Sequence, residues 1–289
     1  MRSDPTRLQQ LKYNCKVRLL RGFRQVALRR FAYVATEFDA QTHIDKLRGF
    51  FARVAPVLSQ HPLIRLGNAH DGGYLVPDDL LGVKTCFSPG VSDMSDFERA
   101  LADQGIHCYL ADNSVDGPAW QGDLIHFEKK FLGSANDAAY MTLESWVERM
   151  ADARDQDLIL QMDIEGDEYD VLLHASTELL KRFRIAVIEF HYLDSLFSQA
   201  GFKLIDNTFA KLLTIFHVVH LHANNSCEPI SLGECVVPPV MEVTLLRKDR
   251  CAFVKPVTQL PHPLDSPCSR WRRDIVVPAC WYRSRASNS

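Results

Sequence analysis

The sequence predicts an α/β fold in which a doubly wound, mostly parallel sheet carries helices on both faces. Three observations support this prediction. Short apolar runs alternate with helical patterns from residue 83 to residue 222, as in successive βαβ units. One run, 158–162, leads straight into charged residues, which is typical of a buried strand that opens at the ligand-binding edge of a sheet. The last run, 240–246, alternates in polarity, as expected of an antiparallel edge strand.

Composition and charge restrict the class of protein. The chain has 289 residues, 46% hydrophobic and 24% charged, which is enough to bury one large core. A net charge of −3 does not favour a nucleic-acid surface, so we expect no nucleic-acid partner. Eight scattered cysteines without a C-x-x-C pair favour reduced thiols, and neither a signal peptide nor a membrane span is visible. These features predict a cytoplasmic protein and leave its oligomeric state unassigned.

Residues 1–62 are predicted to form a basic, amphipathic helical extension. Nine cations and one acid precede Glu37, and apolar residues recur at helical spacing over residues 6–36. Two interpretations remain open for this helix. It packs on the domain with a solvated cationic face, or it makes peripheral contact with an anionic membrane at the inner membrane face. A second helix is predicted over residues 44–58, because Pro62 disfavours helix just before it.

The predicted domain, residues 63–250, begins with a hairpin marked by Gly72 and Gly73. Arg65 and Asp71 in this hairpin either reach a ligand or belong to a solvated structural turn. A strand at 83–87 then enters a loop, 88–93, that contains a single glycine and precedes a helix. This arrangement can bind an anionic or polar ligand group. The next strand, 107–111, ends at Asp112, which is placed to accept hydrogen bonds from ribose hydroxyls or to act as a turn residue.

The remaining elements follow the same alternation. The pattern predicts further strands at 124–127, 158–162, 185–188, 217–222 and 240–246. Three helices are predicted in this part of the chain. The first begins after Thr142, its N-cap; the second covers residues 171–183; the third covers residues 195–213, with a break at Gly201. Residues 251–289, rich in proline and arginine, are expected to form a loop-rich tail packed on the domain. The prediction is therefore a Rossmann-like, seven-stranded sheet with one antiparallel edge strand and an N-terminal helical extension.

Three strand ends carry groups that could move a proton: Asp163 and Glu165, Glu189 and His191, His220 and His222. Alternate residues of a strand face the same side, so each pair starts on one side of the sheet. A carboxylate or imidazole next to a hydroxyl can act as a general base. We predict that Asp163, His191 and His222 are the catalytic residues. Glu165 either joins them or interacts with the dipole of the following helix, and His220 either joins them or is a core histidine.

The same carboxylates and imidazoles, together with Asn224, could hold a divalent metal that lowers the pKa of a substrate hydroxyl. No ligand spacing enforces such a site. Metal ligands are therefore left unassigned.

Several motifs together resemble the FkbM-type methyltransferases, which are class I enzymes dependent on S-adenosylmethionine. The resemblance covers residues 63 to 250, and its most specific part is 163–168, with sequence Asp-Ile-Glu-Gly-Asp-Glu. Residues 220–225 also resemble a strand end in a bacterial branch of the family. Two features depart from the family: the loop 88–92 has fewer glycines, and Glu144 stands where an aspartate is common. The other motifs that carry the resemblance are 71–74, Asp112, 142–145 and 187–191.

The resemblance implies S-adenosylmethionine as cofactor. Ser88, Gly90 and Ser92 would approach its methionine part, Asp112 would hold its ribose, and Asp163 would lie at the active-site edge. It implies an S-adenosylmethionine-dependent methyltransferase (EC 2.1.1.-) that methylates a hydroxyl of a sugar, glycolipid or secondary metabolite, with a small-molecule or glycan acceptor. Two alternatives remain: a non-catalytic Rossmann-like binding or scaffold protein, and a nicotinamide-dependent oxidoreductase.

Overall fold

A computed structural model of the protein describes residues 40–92 and 94–283. The predicted helix at 6–36, with its membrane interpretation, lies outside the described residues. The strands are β1 (Val57–Leu58), β2 (Leu63–Leu66), β3 (Tyr74–Pro77), β4 (Thr85–Pro89), β5 (His107–Ala111), β6 (Ile125–Glu128), β7 (Phe131–Leu132), β8 (Tyr140–Met141), β9 (Leu158–Met162), β10 (Phe183–Phe190), β11 (Phe216–Ala223), β12 (Ile230–Leu232), β13 (Cys235–Val237), β14 (Met241–Arg247) and β15 (Lys255–Pro256).

The helices are α1 (Ile44–Val54), α2 (Asp96–Ala102), α3 (Leu143–Met150), α4 (Glu168–His174), α5 (Thr177–Leu180) and α6 (Gln199–Ile215), with 3₁₀ turns at Leu193–Phe197, Lys248–Arg250 and Ala279–Trp281. None of the helices between residues 40 and 283 that the structure describes is long and apolar enough to cross a bilayer. No disulfide links the cysteines in this part of the chain.

The central sheet has seven strands in the order β11-β14-β10-β9-β4-β5-β6. Neighbouring strands from β10 to β6 run parallel, and β14 is antiparallel to both β10 and β11. The predicted mostly parallel sheet with one reversed strand is confirmed. The reversed strand lies one place in from the edge that β11 forms, because the chain returns from β11 and pairs between it and β10.

Alternating side chains of the sheet supply two separate cores. On β10, Ile185 and Val187 belong to one core cluster, whereas Ala186 and Ile188 belong to the other. Successive side chains of a strand point to opposite faces, so the clusters cover opposite faces of the sheet. The first face is covered by α2 and the β2–β3 hairpin, and the second by α1, α3, α4 and α6. The inner strands β4, β9 and β10 are buried on both sides, which explains why most of their residues are apolar.

Three helix boundaries differ from the prediction. Helix α1, predicted over residues 44–58, ends at Val54, before Pro56. The helix predicted over 171–183 is divided, because Ser176 caps a new helix by accepting a hydrogen bond from the Leu179 amide. The predicted break at Gly201 is absent: α6 is continuous over Gln199–Ile215, with Ser198 as its N-cap. Gly201 serves close packing instead, since a Cβ there would lie 2.3 Å from the Ser195 carbonyl oxygen.

The described part of the C-terminal tail, residues 251–283, is largely irregular, and two of its aromatic side chains are buried. Trp281 is 1% exposed and packs against Phe50 and Phe51 of α1, with ring centroids 6.0 and 4.7 Å apart. Helix α1 and the tail thus share one core cluster with the sheet. The predicted domain boundaries at residues 62 and 250 stay predictions.

Candidate functional site

A row of buried polar side chains crosses four strands at one edge of the sheet. Asp163 follows β9, Glu189 lies near the end of β10, and His222 lies near the end of β11. Between them, Glu242 at the start of β14 is paired in register with Glu189 on one side and His222 on the other. Paired residues of neighbouring strands project from the same face, so these side chains are adjacent. All except Asp163 are at most 6% exposed.

His191 lies at the centre of four carboxylates. Its Nδ1 is 3.0 Å from Oε1 of Glu168. Its Nε2 is 3.8 Å from Asp163 Oδ1, 3.7 Å from Glu165 Oε2 and 3.6 Å from Glu189 Oε1. The structure thus brings together Asp163 and His191, two of the three predicted catalytic residues. It adds Glu168, which the sequence analysis did not single out.

Glu168 shapes the turn that presents these groups. Its Oε1 accepts hydrogen bonds from the Ile164 amide (3.2 Å) and the Gly166 amide (3.1 Å). Glu165 has φ 60° in this turn, and its side chain is 61% exposed. Glu165 was expected either to join the catalytic residues or to interact with the dipole of the following helix. The structure favours the first interpretation, because Glu165 lies near His191 and the first turn of α4 carries Glu168 instead. The sequence feature that could have identified Glu168 is its position, since it is an acid at the start of the helix that follows β9.

Burial and neighbouring charges give Asp163 and His191 different proton affinities. Burial, partly offset by His191 and reinforced by Glu165 and Glu168, raises the pKa of Asp163 to about 7. Burial lowers the pKa of His191, but the hydrogen bond and charge of Glu168 outweigh it and raise that pKa to about 9. Near neutral pH His191 is therefore an imidazolium, while Asp163 can exchange a proton. A carboxyl group with a pKa near the working pH is suited to general-base catalysis.

The surroundings of Glu189 disfavour its charged form. Burial, together with the charges of Asp163 and Glu242, raises its pKa well above the usual range. Its Oε1 accepts a hydrogen bond of 3.0 Å from the Asn224 side-chain amide. This contact gives Asn224 a role in orienting a carboxyl group.

His222, the third predicted catalytic residue, has other close partners. Its Nδ1 lies 3.1 Å from Glu242 Oε2, and its Nε2 lies 3.6 Å from Asp274 Oδ1. Burial lowers its pKa, but Asp274 and Glu242 outweigh this effect and raise it to about 10. A protonated imidazole cannot accept a proton, so this environment does not favour His222 as the general base. His220 pairs with Asp265 at 2.8 Å, both 3% exposed, which supports its interpretation as a core histidine.

The glycine loop and Asp112 meet at the ends of β4 and β5, as predicted. Gly90 has φ +85°, and a Cβ there would lie 1.6 Å from the Asp163 carbonyl oxygen. Only glycine therefore allows β4 to approach the end of β9 so closely. The Ser92 amide donates a hydrogen bond of 2.9 Å to Asp112 Oδ2, and the Ser114 amide donates one of 2.7 Å to Oδ1. The loop is thus fixed against the proposed ribose-binding carboxylate.

Two residues considered as ligand contacts, Ser88 and Arg65, make hydrogen bonds within the protein. Ser88 is 0% exposed, and its hydroxyl lies 2.5 Å from the Gln161 side-chain oxygen and in contact with Glu98. Its side chain therefore faces the core, and the prediction that Ser88 approaches the cofactor stays a prediction. Arg65 donates hydrogen bonds to the carbonyl oxygens of Asn68 and Gly73, which makes it a structural residue of the hairpin.

The edge fits a ligand that carries positive charge. Asp163 Oδ1 and Glu189 Oε2 are buried and have no hydrogen-bond partner among the described residues. Leaving a buried carboxyl oxygen unsatisfied is costly, so such atoms indicate where a ligand belongs. S-adenosylmethionine carries a sulfonium and an α-ammonium group, both cationic. The donor set at this edge is therefore chemically compatible with that cofactor.

A family model matches part of the chain. Residues 113–219 match the methyltransferase FkbM domain. This segment, just over a third of the chain, contains Asp163, Glu165, Glu168 and His191 and ends before His222. The match confirms the resemblance to FkbM-type methyltransferases over residues 113–219.

Solved structures give weaker likenesses. A protein described as a hemolysin from Streptococcus thermophilus is 14% identical, over 58% of this chain and 62% of that one, with a TM-score of 0.35. A protein described as an rRNA-methylase from Clostridium thermocellum is 11% identical, over 57% and 88%, with a TM-score of 0.32. The 1,6-didemethyltoxoflavin-N1-methyltransferase of Burkholderia thailandensis is 13% identical, over 78% and 89%, with a TM-score of 0.30. No curated protein sequence matches the chain.

Proposed function

We propose that the protein transfers a methyl group from S-adenosylmethionine to a hydroxyl oxygen of a sugar, glycolipid or secondary metabolite. The observation that supports this most strongly is the pairing of Asp163 with the His191 imidazolium, 3.8 Å away, inside the segment that matches the methyltransferase model. This pair offers a buried, unpartnered carboxyl oxygen with a pKa near 7 at the edge where ligands of open α/β sheets bind.

The bound cofactor would supply the electrophilic methyl group. Asp163 Oδ1 accepts the proton of the acceptor hydroxyl, which makes the oxygen a better nucleophile and contributes a factor of about 10² to 10⁴ in rate. Glu168 holds His191 through the 3.0 Å contact with Nδ1, so that Nε2 stays directed towards Asp163 and Glu189. Gly90 keeps the loop close to Asp163. Holding the acceptor oxygen in line with the methyl group supplies much of the remaining rate enhancement.

Binding measurements distinguish this function from its alternatives. Calorimetry would compare S-adenosylmethionine, S-adenosylhomocysteine and NAD on the full chain. We expect the two sulfur compounds to bind and NAD to bind weakly, because residues 88–92 lack the G-x-G-x-x-G sequence typical of dinucleotide sites. Binding of NAD alone would instead indicate an oxidoreductase. Binding of none of the three would indicate a scaffold protein.

Two substitutions test the assigned roles. Asp112→Ala should weaken cofactor binding about 10- to 100-fold, since a hydrogen bond to a charged group contributes about 1.5–3 kcal/mol. Asp163→Asn should leave binding nearly unchanged and abolish formation of S-adenosylhomocysteine with a panel of hydroxylated glycans. Asp123→Asn, at an exposed position, is the matched control and should behave as the wild type.

A further inference from the structure

A second buried group lies beside the Asp163 site and includes a residue of the C-terminal tail. It consists of His222 on β11, Glu242 on β14 and Cys268, which we call the tail cluster; these residues are 3%, 6% and 8% exposed. The Cys268 thiol lies 3.2 Å from Glu242 Oε1 and 3.8 Å from His222 Nδ1. His222 Nδ1 in turn lies 3.1 Å from Glu242 Oε2. Each of the three side chains is thus within reach of the other two.

These separations match those between the ligands of a tetrahedral metal ion. Zinc bonds of about 2.3 Å to sulfur and about 2.0–2.1 Å to nitrogen or oxygen place a nitrogen and an oxygen ligand about 3.3 Å apart, and a sulfur ligand about 3.5 Å from either. The two oxygens of Glu242 face different partners at distances close to these values: Oε2 is 3.1 Å from His222 Nδ1, and Oε1 is 3.2 Å from Cys268 Sγ. The Sγ–Nδ1 distance is 3.8 Å, and one ligand atom from each residue can be chosen so that all three lie within 4.8 Å of one another. We propose that His222, Glu242 and Cys268 bind a zinc-class divalent transition metal.

The surroundings of the tail cluster support a bound cation. Glu189, the cross-strand neighbour of Glu242, carries a buried oxygen without a hydrogen-bond partner. His222 Nε2 is also buried and unpartnered, and it lies 3.6 Å from Asp274 Oδ1, too far for a hydrogen bond. With Nδ1 on a metal, Nε2 carries the proton and faces Asp274, an arrangement common among metal-bound histidines. A bound cation would also offset the free-energy cost of burying the Glu189 and Glu242 carboxyl groups side by side.

The donor set indicates the kind of metal and its effect. A thiolate ligand favours zinc or a similar transition metal over magnesium or calcium, which prefer oxygen ligands. Three protein ligands leave a fourth position for water or a ligand. Because Cys268 belongs to the tail and the other two ligands belong to the sheet, the metal would link the tail to β11 and β14. This site differs in its residues from the Asp163, Glu168 and His191 group.

Cobalt is the probe for the test, because a Co²⁺–thiolate bond gives a near-ultraviolet charge-transfer band. The full chain, stripped with a chelator and kept reduced, would be titrated with Co²⁺ and then with Zn²⁺. We expect about one equivalent of Co²⁺ to bind with this band, and Zn²⁺ to displace it and raise the Tm. Absence of metal binding by the folded wild type, or binding without the thiolate band, would overturn the proposal.

Variants assign the ligands. Cys268→Ala and Glu242→Gln should lose or weaken the cobalt signal and the zinc-dependent rise in Tm. Cys251→Ala, at a partly buried cysteine beyond the opposite end of β14, should keep both. A band that persists in Cys268→Ala, or disappears in Cys251→Ala, would show that another thiol binds the metal. If Cys268→Ala does not fold, the wild-type cobalt spectrum alone decides whether a thiolate site exists.

Discussion

At the scale of single residues, buried and carboxylate-rich surroundings raise the pKa values of both Asp163 and His191 above their usual range. Asp163 and His191 lie 3.8 Å apart, yet the imidazole keeps its proton to about pH 9 while the carboxyl group titrates near 7. Burial is the main cause of the raised pKa of Asp163, whereas for His191 the hydrogen bond and charge of Glu168 outweigh the effect of burial. The pair therefore contains a cation and a proton acceptor at the same pH.

We expect kcat/KM to rise as pH increases through about 7 and to fall above about 9. The lower limb reflects ionisation of Asp163, and the upper limb reflects loss of the His191 proton. His191→Asn should remove the upper limb, and Asp163→Asn should remove activity at every pH. Initial rates of S-adenosylhomocysteine formation across pH 6 to 10 measure this, and a flat profile in the wild type would contradict the assignment.

Glu98 offers a residue-scale prediction about stability. It is fully buried beside Ser88, and burial raises its pKa from 4.5 to about 7. Because the folded-state pKa is the higher one, folding takes up a proton between these values. The associated stability is complete below about pH 4.5 and is lost as pH rises to about 7, by about 3 kcal/mol.

Glu98→Gln cannot ionise, so it should be more stable than the wild type at pH 8 and lose less stability between pH 5 and 8. Urea unfolding at both pH values measures the difference. Glu148→Gln, at an exposed position on α3, is the control and should follow the wild type. Parallel pH curves for Glu98→Gln and the wild type would mean that Glu98 is ionised in the folded protein.

At the scale of elements, the site depends on close approach of β4 and β9. Gly90 and Gly105 have nearly the same φ, +85° and +82°, but only Gly90 has a neighbour that a Cβ would strike. The two positions therefore separate the cost of an unfavourable backbone angle from the cost of a steric clash. This makes them a matched pair for substitution.

Gly105→Ala should cost about 1–2 kcal/mol, the penalty of placing a Cβ in the left-handed region. Gly90→Ala should cost several kcal/mol, because its Cβ would lie 1.6 Å from the Asp163 carbonyl oxygen and would push the strands apart. It should also weaken binding of S-adenosylhomocysteine, since the loop 88–92, predicted to approach the methionine part of the cofactor, is displaced. Urea unfolding and calorimetry measure these effects, and equal losses in the two variants would show that β4 and β9 can separate without cost.

Element patterns explain which parts of the site the sequence could predict. Apolar runs located β9, β10 and β11, and their ends identified Asp163, His191 and His222, because a parallel sheet gathers its carboxyl ends at one edge. Glu242 was not predicted, because it lies beside Glu189 only if β14 is placed between β10 and β11, and the sequence pattern does not show this placement. The place of Cys268 was not predicted for a similar reason. It lies 46 residues from His222 in the sequence, and only the path of the tail brings the two side chains together.

At the scale of the whole molecule, the tail belongs to the same core as the sheet. The Asn225 side chain binds the Ser269 carbonyl oxygen, and Asp265 pairs with His220, so the tail crosses the edge beside the site. Its end then reaches α1, where Trp281 packs against Phe50. We therefore expect the tail to contribute to global stability as well as to the proposed metal site.

The two tryptophans of the tail test this expectation. Trp281 is 1% exposed, its indole donates a hydrogen bond of 2.9 Å to the Val236 carbonyl oxygen, and its ring contacts two phenylalanines of α1. Trp281→Ala should therefore lower the free energy of unfolding by about 3–5 kcal/mol. Trp271 is 82% exposed and lies near Arg270, so Trp271→Ala should cost no more than about 1 kcal/mol. Urea unfolding of both variants measures the difference; a small, equal loss would mean that the tail can detach while the sheet stays folded.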